Sequence, residues 1–444
     1  MWKGATILMA LSLAGCPSAR AQTTTTPPAD AGNAASAKPE AQPLSLAEAK
    51  RIALGKNWDL LASAAGVDAA TAQRIVAHEF PNPTLSASSS AINVDNRLSS
   101  TSAGNGLWDR SYDTILAVNQ LFEIGGKRRS RQASAQAAFE EAKAEFLDAK
   151  RTLDLGVTRA YAAAALAEES ARVLRESAGI LREEARIAEV RFKSGEISSS
   201  DKSQIEITTE RFELDARAAE SSAARARVAL EVLLGVPLPK GDVVLTERLE
   251  ALVDSGAGLN PNSTVAWRPD VVAADAALRK AEADLRLQKA NRIPDPTVVA
   301  EYEHQPPDRP NTVGFGVSIP LPLWNRNRGN ILAADAAREQ ARLDLEKTKA
   351  QASAEVATAL LAYGDAVKRW QSFRDSIRPR SEQVRKTKAY AYEKGGASLL
   401  DMLVAERDDN EVRLAAIQAA SDAVVAIAAL QAATLELRPS ELKR

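Results

Sequence analysis

Two aspartates stand at the same place in two copies of one short pattern. Phe192-Lys193-Ser194-Gly195-Glu196-Ile197-Ser198-Ser199-Ser200-Asp201 recurs as Tyr392-Glu393-Lys394-Gly395-Gly396-Ala397-Ser398-Leu399-Leu400-Asp401. An aromatic residue is followed by a glycine three on, a serine six on and an aspartate nine on. The chemistry open to this spacing is helix capping: serine and aspartate oxygens take up exposed backbone N–H groups. Other reactive residue types are few. The two histidines (His78, His304) and one cysteine (Cys16) cannot build a Cys/His metal cage. His304 beside Glu301 and Glu303 reads as a solvated strand end or loop, not a metal site. Gly126-Lys127 lacks the upstream glycine of a phosphate loop, and Arg128 replaces its Ser/Thr, so a strand-to-helix turn is the better reading. No nucleophile-base-acid set is visible, and the sequence points to no enzyme, cofactor or metal.

The elements that carry the two patterns are long helices. Each pattern interrupts a helical run, so each predicts the sharp bend of a helical hairpin, with Gly195 or Gly395 in the left-handed conformation that ends the first helix. Helical runs are expected from about 126 to 193 and 328 to 394, with return helices at 200–234 and 398–435. Val356, Leu360, Tyr363, Val367 and Trp370 step by four and three, the seam of a coiled-coil-like contact. Upstream, Phe80-Pro81-Asn82-Pro83-Thr84 and Ile293-Pro294-Asp295-Pro296-Thr297 each stop a helix. The period then changes to two, predicting β-hairpins at about 84–122 and 297–322. Val313, Phe315, Val317, Ile319 and Leu321 alternate with Gly314, Gly316, Ser318 and Pro320, which fits a half-buried sheet or a barrel wall facing lipid.

Charge and composition narrow the function. With 57 Lys+Arg against 58 Asp+Glu, there is no basic surplus for nucleic acid. Only 5% of residues are aromatic although 45% are hydrophobic, a balance suited to closely packed helices. Residues 1–21 read as an export signal, or 1–15 if Leu13-Ala14-Gly15-Cys16 is a lipobox and Cys16 the acylated first residue. Residues 22–43 are a flexible tether; 44–235 form repeat one, 236–268 an irregular connector, 269–436 repeat two and 437–444 a tail. No later segment offers the uninterrupted apolar length of a membrane helix.

A helix, two strands, a long helix, a tight tip and a return helix, done twice behind an export signal, resemble the TolC-like outer-membrane efflux protein family. The markers are Pro81-Asn82-Pro83-Thr84-Leu85, Gly125-Gly126-Lys127-Arg128, Leu233-Leu234-Gly235-Val236-Pro237, Arg268-Pro269-Asp270, Pro294-Asp295-Pro296-Thr297 and the two tips. The run Ile319 to Gly329 is most like members serving cobalt-zinc-cadmium or copper RND exporters. The resemblance implies a mainly α fold with a small β part, trimerising into a twelve-stranded barrel in the Gram-negative outer membrane and a helical barrel in the periplasm. It implies a passive exit duct, with a periplasmic adaptor, an inner-membrane RND pump and outer-membrane lipid as partners. Asp201, Tyr392 and Asp401 would belong to the periplasmic entrance; Gly195, Glu196, Gly395 and Gly396 would meet the adaptor. Ala397 stands where an arginine would add a closing link, and Val404 where a second entrance acid would lie, with Glu406 nearby. The rival reading is a soluble periplasmic scaffold or adaptor; within channels, drug efflux or type I secretion stays open.

Overall fold

The computed structural model describes residues 43–92, 111–255, 265–305 and 309–436. Cys16, the export signal and nearly all of the tether lie outside them. The fold is mostly helical with a small sheet part. Strand β1 (Pro43–Leu44) precedes α1 (Leu46–Lys56) and α2 (Trp58–His78), then β2 (Thr84–Ile92) and β3 (Ser111–Leu121). Helix α3 (Lys127–Lys193) and its return α4 (Ser199–Leu233) form the first helical hairpin. After β4 (Val244–Leu245), α5 (Leu249–Ser255) and α6 (Pro269–Ala290) come β5 (Thr297–Gln305) and β6 (Arg309–Ser318). The second hairpin is α7 (Arg328–Ser372), a π-helical turn at Phe373–Ile377, α8 (Arg378–Glu393) and α9 (Leu399–Ala433).

The 67 residues of α3 span roughly 100 Å at 1.5 Å per residue. Such a helix is held by what it packs against, and the seams repeat every seven residues. Val157, Ala164, Ala171 and Ala178 are buried on α3; Thr209, Ala216, Ala223 and Leu230 on α4; Ala276, Ala283 and Ala290 on α6. Leu345, Ala352, Ala359 and Ala366 continue the pattern on α7, and Met402, Asp409, Ala416, Ala423 and Leu430 on α9. A strict seven-residue repeat supercoils helices left-handedly, and alanine at the contact lets the axes come close. The stripe expected from Val356 to Trp370 is therefore displaced. Trp370 is fully buried, but Val356, Leu360 and Tyr363 only flank the alanine seam. Helix α9 is apolar enough to cross a bilayer by composition, yet it is a packed helix, with nearly all of Ala416 to Ala433 buried or half-buried.

Two expected regions differ in detail. The run from 328 to 394 is not one α-helix: Pro379 lacks an N–H and would collide with the turn before it, and the wider π turn just upstream relieves the conflict. The connector is more ordered than its composition implied. β4 pairs in parallel with β1, and Leu249, Leu252 and Val253 join the core around Tyr161 and Trp370. The buried Glu231 carboxylate accepts the backbone N–H groups of Lys240, Gly241 and Asp242 at 2.6–2.8 Å and that of Val243 at 3.3 Å. At Gly235, with φ of 73°, an added Cβ would lie 2.2 Å from the Lys56 carbonyl oxygen, so the chain passes there only as glycine.

The sheet is a four-stranded antiparallel ribbon in the order β2-β3-β5-β6. Its register stacks Leu85, Val118, Ala300 and Phe315 across one face, with Val298 opposite Val317 and Tyr302 opposite Val313 on the same face. That face is apolar and open: Phe315 is 83% exposed, Leu85 76% and Val313 67%. The other face carries Ser86, Ser88, Asn119, Glu301, Gly314 and Gly316. β2 and β6 pair on one side only.

Ala359→Leu, which overfills the seam, is expected to destabilise the fold by about 1–3 kcal/mol in urea unfolding. Leu361→Ala, at a site 77% exposed, should stay within about 0.5 kcal/mol; equal effects would contradict the assignment of the seam.

Candidate functional site

The two hairpin tips are built alike. Gly195 (φ 78°) and Gly395 (φ 77°) end α3 and α8 in the left-handed conformation. The N–H of Gly195 bonds the carbonyl of Phe192 at 3.0 Å and that of Glu196 the carbonyl of Arg191 at 2.9 Å; Gly395 to Tyr392 (3.1 Å) and Gly396 to Ala391 (2.8 Å) repeat the pair. These bonds satisfy carbonyls that the last turn leaves free. Ser198 and Ser398 then cap α4 and α9. Each hydroxyl accepts the N–H of the aspartate three residues on, and each aspartate accepts the N–H and O–H of its serine, a full capping box at both tips. Asp201 and Asp401 are thus structural carboxylates at exposed helix starts. The Ser398 hydrogen bonds, with Lys388 3.6 Å away, hold the Asp401 carboxyl below its ordinary value.

The other expected entrance residues fall as follows. The guanidinium of Arg191 on α3 lies 5.4 Å over the Tyr392 ring, a cross-tip contact inside the chain beside the packing of Tyr392, Met402 and Leu403 with Leu181, Ala188 and Ile205. Among the described residues no hydrogen bond joins Tyr392 to Asp201. Val404 is partly exposed beside the tip. Glu406 does not face out: it is 5% exposed, with Arg385 between it and Asp409 at 3.5 and 3.1 Å, and Ser381 donating to Asp409 at 2.9 Å. Burial pushes the Glu406 carboxyl above its ordinary value against the pull of Arg385. This buried polar group, with Ser177 donating to Asn410 at 3.1 Å, was missed in the sequence, although Asp409 sits one seven-residue step from Ala416.

The remaining motifs join elements. The Gly125-Gly126-Lys127 elbow is an ion-pair site: Lys127 lies 2.7 Å from Asp295, whose other oxygen accepts the N–H of Ile124. Arg131 pairs with Glu123, and Arg128 stacks 3.8 Å over Phe80. Arg268, 1% exposed, donates to Asp270 and Glu355 and locks α6 to α7. Burial raises the Asp270 carboxyl, but the Arg268 bonds outweigh it and leave the group below its ordinary value. His304 lies within β5, 3.3 Å from Asn311, and strand alternation turns it to the face opposite Glu301 and Glu303.

A family model described as outer membrane efflux protein matches residues 51–236 and 260–434. The chain belongs to the outer membrane efflux protein family. Among relatives, the cobalt-zinc-cadmium resistance protein CzcC of Cupriavidus metallidurans is 26% identical over 381 residues, 84% of this chain and 86% of that protein. The pyoverdine export outer membrane protein OpmQ of Pseudomonas putida is 25% identical over 395 residues, 82% and 81% of the two. The solved structure of CusC superposes with a TM-score of 0.70 at 18% identity, over 88% of this chain and 91% of that one. The efflux protein accordingly works in the Gram-negative outer membrane and extends into the periplasm, as the outer component of an efflux system with adaptor and inner-membrane pump partners. In the efflux protein, the exposed apolar sheet face and the first tip lie at opposite ends of α3.

Glu406→Gln separates the buried group from the exposed tip. Because the folded state raises the Glu406 pKa, its ionisation costs stability as pH climbs from the ordinary carboxylate value through the raised one. The glutamine variant should therefore gain on the native protein over that rise and lose the advantage in acid; thermal melts from pH 4 to 8 that run parallel would contradict this reading.

Proposed function

We propose that the efflux protein is one third of a tube. Three copies each bring four strands to a twelve-stranded barrel, and their helical hairpins line a cylinder through the periplasm. The observation that carries this is the sheet: its open face is apolar, and both outer strands leave one edge of N–H and C=O groups unpaired. In lipid such edges have no water to satisfy them, and cyclic closure supplies the partners. The exposed face also weighs against a soluble scaffold, whose sheet would turn that face inward.

The tube is a passive exit duct. Asp201 and Asp401, placed at the tips by the capping boxes, would ring the entrance with negative charge and favour cations. Gly195, Glu196, Gly395 and Gly396 form the outermost turns, where an adaptor hairpin would dock. Tyr392 under Arg191 would hold the second tip against the first and stand in for the closing link lost at Ala397. The cargo read from the relatives is heavy-metal cations, since CzcC is named for cobalt, zinc and cadmium resistance; OpmQ, named for pyoverdine export, supplies the competing organic cargo. The domain scheme extends to a cleaved signal, with Cys16 the lipidation candidate.

Val317→Asp, a charge on the open sheet face, is expected to remove the protein from outer-membrane fractions while Ser318→Asp is tolerated; normal membrane assembly of the first would sink the barrel. A deletion strain should become sensitive to cobalt, zinc or cadmium, and Gly395→Asp should reproduce that sensitivity with assembled protein still present. Unchanged metal tolerance together with lost pyoverdine export would turn the cargo to the organic class.

A further inference from the structure

At the junction between sheet and helices, several cationic side chains gather without carboxylate partners. Arg128 and Arg129 in the first turn of α3, Arg292 just after α6, and Arg326 and Arg328 at the entry to α7 have no carboxylate partner among the described residues. Their neighbours Lys127 and Arg131 already take up the carboxylates of Asp295 and Glu123. They share one end of the sheet. Leu121 is opposite Thr297 and Thr297 opposite Ser318, and Thr84 is opposite Asn119, so every strand meets its helix at the same level. At that level apolar side chains project outward: Trp324 is 94% exposed, with Phe80, Phe122, Ile319, Leu321 and Leu323 also open. A mainly apolar trough runs between the turn at Phe80–Pro83 and the end of β3, with Gln120 and the Arg131-paired Glu123 on its wall and, at its head, Arg128, which donates one N–H to the His78 carbonyl at 2.6 Å.

Exposed rings and aliphatic chains beside guanidinium groups that have no carboxylate partner make up the usual interfacial belt of a membrane protein, and guanidinium recognises phosphate. The belt continues the open apolar face of the sheet, so lipid, not water, lies next to it. Because the helices extend into the periplasm, this end meets the periplasmic leaflet, where the lipids are glycerophospholipids. We infer that the junction is a cationic aromatic collar that binds acidic glycerophospholipid headgroups, with the acyl chain along the Phe80–Phe122 trough and the phosphate on Arg128, Arg129, Arg326 and Arg328. This rests on the proposed lipid-facing placement of the sheet, not on the number of chains or the cargo.

The test uses full-length protein in nanodiscs of phosphatidylcholine alone or of phosphatidylcholine with phosphatidylglycerol, followed by thermal unfolding and by measurement of the lipid retained on transfer to detergent. Native protein should melt higher in the anionic discs and keep phosphatidylglycerol, and both effects should weaken at high salt. Arg129→Gln, Arg326→Gln and Arg328→Gln, all exposed and outside the packing, should each lower retention about fivefold. Lysine at the same positions should preserve it. Equal behaviour of the native protein in both discs, or glutamine variants that keep the preference, would overturn the collar. Variants that lose stability equally in both lipids would assign the arginines to contacts between protein chains and overturn it as well. Failure of the native protein to enter either disc would remove the membrane placement, and the collar with it.

Discussion

An open sheet with a greasy outer face cannot stand alone. Each unpaired N–H or C=O on β2 and β6 must find a partner, and in hydrocarbon the only partner is another strand. The exposed row of Leu85, Val118, Ala300 and Phe315 sets the same condition from the side-chain direction, because it gains only where water is absent. Four strands per chain are too few to close on themselves. In the proposed assembly, the long hairpins follow from this: a barrel of strands from several chains needs a rigid support below it, at a common level in each.

The support comes from small side chains. Alanine at seven-residue steps on α3, α4, α6, α7 and α9 brings helices close enough to pack over long distances without a thick core. Near the tips Asp409 stands at one seam position, and its ion pair with Arg385 adds to the apolar packing of Met402 one step further on. Helix α8 has no fully buried residue and follows the π turn at Phe373–Ile377. The second tip is therefore held by a small apolar cluster, in which Met402, Leu403 and Tyr392 pack with Leu181, Ala188 and Ile205, together with the Arg385 ion pairs, a more adjustable arrangement than the long seam above it.

The sequence exposed some of this design and concealed the rest, for physical reasons. The tips were legible because glycine and the serine–aspartate pair each have one strong local use, and the hairpins because Pro81, Pro83, Pro294 and Pro296 punctuate a change of period. The seam is legible only in part, because large residues such as Val356, Leu360, Tyr363 and Trp370 draw attention to the contact, whereas its deepest positions belong to alanine, which is common everywhere in this chain. Pro379 was overlooked inside a long helical run, and its neighbours took up the strain. Glu231 acts on a loop 9 to 12 residues on, Arg268 on Glu355 87 residues away and Arg385 on Glu406 21 residues away, contacts that no helical or strand period records. The aspartates show the limit most clearly: Asp201 and Asp401 were legible as caps, while an entrance role depends on how copies gather around an axis.

The central claim is the closure of the sheet between chains. Light scattering on detergent-extracted protein, with the detergent contribution subtracted, measures it most directly. A particle containing three chains is expected; a monodisperse single chain, stable with β2 and β6 unpaired, would contradict it.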